Sequence, residues 1–359
     1  MHLKRITSMN SLLSMSIYHL AKKVSNYKYH QIHKKAAEEL LIKLEAKKGK
    51  INKKLIRLSD EYAKEILGWK GFAPWLYVYC AVNNCFKEGW IPDNYFAKVV
   101  LPVIDGGYGK VSDFRPLSRH LIGSEVFPDL GYFVNGLFFS KNYEVLNEEK
   151  LKDFLFKDYG FLVFKTDKSL QGKGFFLFEK ESFEVGRIKK LGNGVFQYFI
   201  NQHPFFSEFM PASVSTIRIT SYYDDNGIVS VKACYLRIGR AEEHNVKWVS
   251  NIVVPVDPET GELNSTGFFM DFDSIDRHPD THTVFAKRYI PSFNNCVSTV
   301  IKLHRQMPFA RCIGWDLIVD KDNNVKVMEW NGYHTDIKVH EALQGPCFTG
   351  LGWEEIWKK

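Results

Sequence analysis

Hydrophobic and polar positions change their period along the chain, and those changes divide it. In residues 1–68, Ala, Leu and Ile recur at helical spacing between charges, as in "HQIHKKAAEELLIKLEAKKGK" and "KKLIRLSDEYAKEILGW". An apolar stripe at a 3.6-residue period predicts helices. Residues 69–150 are mixed and aromatic-rich. Within them "IDGGYGKVSDFRP" has the Gly, Asp and Pro of a loop, and "EEKLKDFLFKDYG" reads across their end as a short helix stopping near Gly160. Beyond it the period falls to two. "FLVFK", "GFFLFEK" and "GVFQYFI" predict strands; "STIRITSYYDDNGIVSVKACYLRIGR" predicts a long hairpin turning at Asp225-Asn226-Gly227; "IGWDLIVDKDNNVKVMEWN" predicts another turning in its Asp-Asn run. "IPSFNNCVSTVIKLHRQM" and "IKVHEAL" read as helices. Hairpin-paired strands with helices laid against them indicate an α+β fold.

Composition narrows the classes. The 359 residues suit one large or two to three ordinary domains, and a sizeable core fits this length. The formal charge of +7 favours an anionic partner, yet much of the excess sits in the first sixty residues. Those basic helices lack interleaved aromatics, so nucleic-acid binding is not expected; a solvated face explains them, or docking to an acidic partner or membrane surface. No apolar run approaches the ~20 residues of a membrane span. Ser, Asn and His interrupt the basic N-terminus, so a cleaved signal peptide is not expected. The six cysteines lack zinc-site spacing and fit buried free thiols in a reducing cytoplasm.

The second hairpin places carboxylates among apolar residues: Asp316 on one strand, Glu329 and Asn331 two apart on the next. Alternation puts Glu329 and Asn331 on one face, and pairing about the turn brings Asp316 to them. Two carboxylates and an amide suit Mg²⁺. Lys165 ends an apolar strand and "SLQGKG" follows. Its glycines let backbone amides approach phosphate, although a Gly-Lys-Gly turn alone is an ordinary hairpin. Arg218 and Arg237 lie within apolar strands and need anionic partners there, a structural carboxylate or a phosphate. In "RHPDTHT", His278 and Asp280 either contact a ligand or form a turn.

The order of these pieces resembles the ATP-grasp superfamily. The run "INQHPFFSEFMPASVSTIRITS", "LRIG", "HPDT", "IGWDLIV", "MEWN" and "QGPCF" is more narrowly similar to the sugar-transfer-associated ATP-grasp group of bacterial surface-polysaccharide biosynthesis, over roughly Trp90 to Gly350. The resemblance implies two α+β lobes clamping ATP behind a basic helical N-terminal extension. Its divisions are a helical region at 1–68, a pre-grasp region at 69–150, a small lobe with glycine loop and hinge at 151–200, and a metal-bearing large lobe at 201–359. It implies that Lys165 and the loop containing Ser169, Gly172, Lys173 and Gly174 bind the phosphates. Gln197 and the backbone of Tyr198 and Ile200 would hold adenine, with His203 near the ribose. Arg218 and Arg237 would stabilise the transferring phosphoryl group, and Asp316, Glu329 and Asn331 would hold two Mg²⁺ ions. Asn245, His278, Asp280 and Thr281 are the expected acceptor contacts.

The sequence departs from the relatives in instructive ways. Where they place a further phosphate-binding lysine before the glycine loop, "SDFRPLSRHL" offers Phe114, Arg115 and Arg119, and Arg115 is expected to supply the charge. Where many ligases carry an arginine two residues before the metal-binding Asp, this chain has Gly314. The implied activity is an ATP-dependent carboxylate–amine ligase in the cytoplasm or at the inner face of the membrane, joining a saccharide or small-molecule carboxylate to an amine through an acyl phosphate. A kinase acting on a sugar hydroxyl and a non-catalytic nucleotide-binding protein are the alternatives.

Overall fold

The computed structural model describes residues 2–169, 174–240 and 251–358, with side chains described from residue 23 onward. Gly172, Lys173 and Asn245 therefore lie outside the described residues.

Helices come first: α1 (His2–Lys48), α2 (Lys53–Glu61) and α3 (Ala73–Asn83), followed by short helical turns through residue 122. Asn52 starts α2 by accepting the Lys54 amide at 2.8 Å, an ordinary N-cap. The chain then builds a small sheet from β1 (Asp129–Val134), β2 (Leu137–Ser140), β3 (Val145–Leu146), β4 (Phe161–Thr166), β5 (Phe175–Glu179) and β6 (Gly194–Tyr198), in the order β3-β2-β1-β6-β4-β5. Helices α4 (Glu148–Leu155) and α5 (Val185–Leu191) bring Leu151, Leu155 and Ile188 to its apolar core, beside Phe164, Phe178 and Phe196. This sheet crosses the boundary expected at residue 150, because β1 pairs directly with β6. The short strands β1–β3 sit in the aromatic-rich stretch, where no clean alternation announces them.

The large sheet holds β7 (Thr216–Tyr223), β8 (Val229–Ile238), β9 (Ile252–Val256), β10 (Gly267–Phe269), β11 (Ser274–Ile275), β12 (Cys312–Val319) and β13 (Val325–Asn331), ordered β11-β10-β9-β8-β7-β12-β13. Both expected hairpins form, β7 with β8 and β12 with β13. Asp320 shapes the second turn by accepting the amides of Asp322 and Asn324 at 2.9 and 2.8 Å. Helix α6 (Pro204–Phe209) and helix α7 (Phe293–His304) pack Phe206, Phe209, Cys296 and Val300 into the main core with Trp315 and Ile318.

The basic N-terminal helices are no loose appendage. Ala37 and Leu44 of α1 and the apolar side of α3 share one core with Ile337 and Ala342 of α8 (Ile337–Leu343) and with Phe348 and Trp353. Burying such side chains stabilises by about 1.5–3 kcal/mol each, so this third core fixes where the helices stand relative to the β12–β13 hairpin.

Candidate functional site

One cavity of about 500 Å³ runs between the sheets, and its walls come from α1, both lobes and the segment after β13. Its centre is set by strand register. β12 lies between β7 and β13, so Arg218 faces Asp316 on one side and Glu329 faces it on the other. A bulge beside Asp316 breaks the register there, the kind of irregularity that re-aims side chains next to sites.

Arg218 grips Asp316 with two bonds, Nε to Oδ1 at 2.6 Å and Nη2 to Oδ2 at 2.9 Å, and its Nη1 donates to Thr335 O at 3.2 Å. Both side chains are about 5% exposed or less. A buried guanidinium needs such a fork. This also explains Gly314: a Cβ there would lie 2.7 Å from Arg218 Nη1, so the arginine occupies the space that a side chain would need.

Lys165 reaches out of the small sheet. It is buried, and its Nζ donates to Met328 O of β13 at 3.2 Å. Burial lowers its pKa to about 8, with Glu329 pulling the other way and Arg115 adding to the lowering. Arg115 spans the lobes too. It donates to Thr166 O and Ser169 O on the small-lobe side, at 2.9 and 3.2 Å, and to Glu329 Oε2 of the large lobe at 3.0 Å. Burial works against the Glu329 carboxylate, but Arg115 and then Lys165 outweigh it and hold its pKa low. Arg237 lines the same cavity, its Nη2 donating to Tyr235 Oη at 3.1 Å. Asn331 stands opposite Gly314, its Nδ2 3.4 Å from Gly314 O. The donor set fits hard-cation chemistry: Glu329 is 30% exposed, Arg115 and Lys165 favour its charged form, and the Asp316 carboxylate and the Asn331 amide oxygen sit beside it on neighbouring strands.

Apolar residues Val163, Ile200, Val214 and Met328 line another part of the cavity, with Tyr198, whose ring stacks on Tyr159 at 5.0 Å. Gln197 lies at this wall, donating to Asp129 Oδ1 at 2.9 Å, while its buried Oε1 has no hydrogen-bond partner among the described residues. Asp129 was not singled out in the sequence. It lies opposite Gln197 across β1 and β6, and burial raises its pKa to about 6. An acid opening an apolar strand, "PDLGYFV", was the available signal.

Several sequence expectations fall elsewhere. Tyr198 stays in the cavity wall, with its amide donated to Pro128 O at 3.0 Å. His203 caps α6, its Nδ1 accepting the Phe205 amide at 3.1 Å, and does not line the cavity. His278 is fully buried; Nε2 pairs with Gly239 O at 3.0 Å, and Nδ1 accepts the amides of Asp280 and Thr281. Asp280 receives a two-bond fork from Arg240, and Thr281 Oγ1 donates to Phe209 O. The "HPDT" polar groups thus hold one another and the loop, away from the cavity lining.

In their place the cavity is lined by Tyr29 and His33 of α1, by Asp93, and by Thr335, Asp336 and Lys338 after β13. The close backbone approach of Gly109 to Gly332 helps set this last segment: a Cβ on Gly109 would sit 2.2 Å from Gly332 O.

Lysine and arginine from the small-sheet side of the cleft thus meet an Asp, Glu and Asn set on the large sheet. Residues 185–348 match the family model described as sugar-transfer associated ATP-grasp. Comparison with curated proteins gives no match. Among solved structures, the chain is similar to an N5-carboxyaminoimidazole ribonucleotide synthetase in complex with ADP (11% identity, 61% of this chain and 44% of that one, TM-score 0.38). It is also similar to the biotin carboxylase domain of Hydrogenobacter thermophilus 2-oxoglutarate carboxylase with MgADP and bicarbonate (12%, 69% and 45%, TM-score 0.42). A third is D-alanyl-alanine synthetase A of Vibrio cholerae (11%, 70% and 65%, TM-score 0.41). The chain spans under half the length of the first two.

Proposed function

We propose that the protein is an ATP-dependent carboxylate–amine ligase acting through an acyl phosphate, forming an amide on a sugar uronate or an amino-acid-bearing sugar during surface-polysaccharide synthesis. The observation that carries it is the meeting, in one cavity, of Lys165, Arg115, Arg218 and Arg237 with Asp316, Glu329 and Asn331. Lys165 and Arg115 bind the phosphates, with Ser169 and Gly174 beside them in the cavity lining. The apolar wall, Gln197 and the Ile200 backbone take the base. Arg237 faces the transferring phosphoryl group; Arg218 acts both there and as the clamp on Asp316. Mg²⁺ held by Asp316, Glu329 and Asn331 would neutralise phosphate charge.

A carboxylate oxygen attacks the γ-phosphorus as its bond to the ADP oxygen breaks, giving an acyl phosphate and ADP. The amine nitrogen then attacks the carbonyl carbon. The carbon–oxygen bond to phosphate breaks, phosphate leaves, and the nitrogen loses its proton. Fixed charge placed where charge develops supplies the stabilisation, so no protein nucleophile is needed. The use of ATP puts the reaction on the cytoplasmic side. No described helix is long and apolar enough to cross a membrane, so residence at the inner face rests on peripheral contact.

The test is ADP release with MgATP and a panel of uronic and amino acids, with hydroxylamine present, beside Glu329→Gln. Carboxylate-dependent ADP and a hydroxamate, both lost in the variant, are expected. ADP release with hydroxyl acceptors and no hydroxamate would replace the ligase with a kinase.

A further inference from the structure

The cavity is electrostatically divided. Around the metal carboxylates, four cationic side chains face two carboxylates, a surplus that suits an anionic nucleotide. At the end built by α1, Asp93 and the segment after β13, the lining carries two carboxylates and one ammonium. The carboxylates are Asp93 and Asp336, and the ammonium is Lys338, which both carboxylates attract and whose Nζ lies 3.6 Å from Asp336 Oδ1 and over the Trp75 ring at 5.4 Å; Lys98, outside the lining, holds its Nζ over the Tyr29 ring at 4.1 Å. His33 adds no charge. The Trp75 indole N–H donates to its Nδ1 at 3.1 Å, so that nitrogen is unprotonated, and burial lowers the ring's pKa to about 4. Asp93 Oδ2 lies 3.7 Å from that same nitrogen and gains no ionic partner from it.

Two further groups point to a ligand here. Thr335 Oγ1 and Asn251 Oδ1 line the cavity on side chains about 1% exposed, and neither has a hydrogen-bond partner among the described residues. Buried polar atoms of this kind cost about 1–3 kcal/mol each unless something satisfies them. Thr335 is also tied to the phosphate end, since its carbonyl accepts from Arg218.

We infer that this end of the cavity is the subsite for the amine substrate, bound as a small primary ammonium compound between Asp93 and Asp336, one of which takes a proton from it before the nitrogen attacks, with Thr335 and Asn251 contacting its hydroxyl or amide groups. The assignment rests on the ligase reading and gives it an orientation: anionic nucleotide toward Lys165 and Arg115, cationic acceptor toward α1. Neighbouring carboxylates select against a second anion by repulsion as well as favouring a cation. It also gives the N-terminal helices a task, since Tyr29 and His33 wall the subsite.

The test uses the full chain with MgADP and saturation-transfer NMR on glucosamine, ethanolamine, their N-acetyl forms and glucuronate. Binding of at least one free amine, with weaker or no binding of its N-acetyl form and of glucuronate, is expected. Asp93→Asn and Asp336→Asn should each weaken the amine roughly 10- to 100-fold, the loss typical of a charge-assisted contact, with ADP affinity unchanged by calorimetry. Preferential binding of glucuronate, absence of amine binding, or amine affinity untouched by both substitutions would overturn the assignment. The hydroxylamine assay separates this from the ligase reading. Hydroxamate formed by the wild type without any amine binding would keep the ligase and overturn the subsite; absence of hydroxamate in the wild type refutes the ligase and leaves the binding result standing.

Discussion

The two carboxylates assigned to metal are held in different ways, and substitution should separate them. Asp316→Asn keeps the shape but removes the counter-charge of Arg218. That guanidinium stays almost fully buried, with bonds of 2.6 and 2.9 Å reduced to one weak acceptor and the Thr335 carbonyl. Stranding one member of a buried pair costs about 3–5 kcal/mol, and for a chain of this size that is a Tm loss of roughly 4–10 °C. Glu329→Gln is milder. The carboxylate is 30% exposed, and its partner Arg115 keeps Thr166 O and Ser169 O. A partly solvated pair is worth about 0–1 kcal/mol, so Tm should move by no more than ~2 °C while MgATP binding is lost. Scanning calorimetry and nucleotide titration of both variants read the difference. The double variant Arg218→Met/Asp316→Leu should regain most of the stability and none of the nucleotide binding, because an apolar pair of similar volume tolerates burial. Equal Tm losses in Asp316→Asn and Glu329→Gln, or none in the first, would refute the account of the pair.

Three more predictions follow from particular contacts. In its proposed role Lys165 would bind phosphate only when protonated, and its pKa is lowered to about 8 by burial; ATP affinity should therefore fall above pH ~8, by up to about tenfold per unit, and Lys165→Arg should flatten that profile in calorimetric titrations. Gly109→Ala drives a Cβ to 2.2 Å from Gly332 O, so it should displace the segment carrying Thr335 and Asp336, costing roughly 1–3 kcal/mol and weakening acceptor-dependent turnover more than ADP binding. Glu341 is fully buried and accepts the amides of Ile91 and Cys347, each at 2.8 Å; Glu341→Ala should cost several kcal/mol in denaturant unfolding, about 1–3 for each stranded N–H.

The centre of the site was readable because it obeys local rules. Strand alternation put Glu329 and Asn331 on one face, an arginine within an apolar strand demanded an anion, and an Asp-Asn turn fixed the hairpin. Arg115 was readable as a charge where a lysine was missing, and it does bridge to Glu329. What escaped was non-local. Tyr29 and His33 sit in a helix whose charges read as a solvated face, and nothing in their neighbourhood marks the turn of α1 that faces the cavity. Asp93 lies in an aromatic stretch without clean period. The polar "HPDT" cluster carried the opposite risk: its groups look available in sequence because their partners, Gly239 O, Arg240 and Phe209 O, are backbone or distant. Strands β1–β3 joined the small lobe for a similar reason, since pairing with β6 is decided across some sixty residues and not within them.

The third core has a consequence for how the protein is made. Trp90 donates to the carbonyl of Glu341, 251 residues away, and at synthesis rates of about 5–20 residues per second that partner emerges roughly 10–50 s later. Until then α1 and α3 have each other to pack on but lack the side of their core that Ile337, Ala342, Phe348 and Trp353 supply. The wall assigned to the amine can close only after the segment around Trp353 has arrived, so a nascent chain could shape its nucleotide lobe well before it has a complete place for an acceptor. Any fusion or truncation that disturbs Trp353 should show its first effect at the opposite end of the sequence.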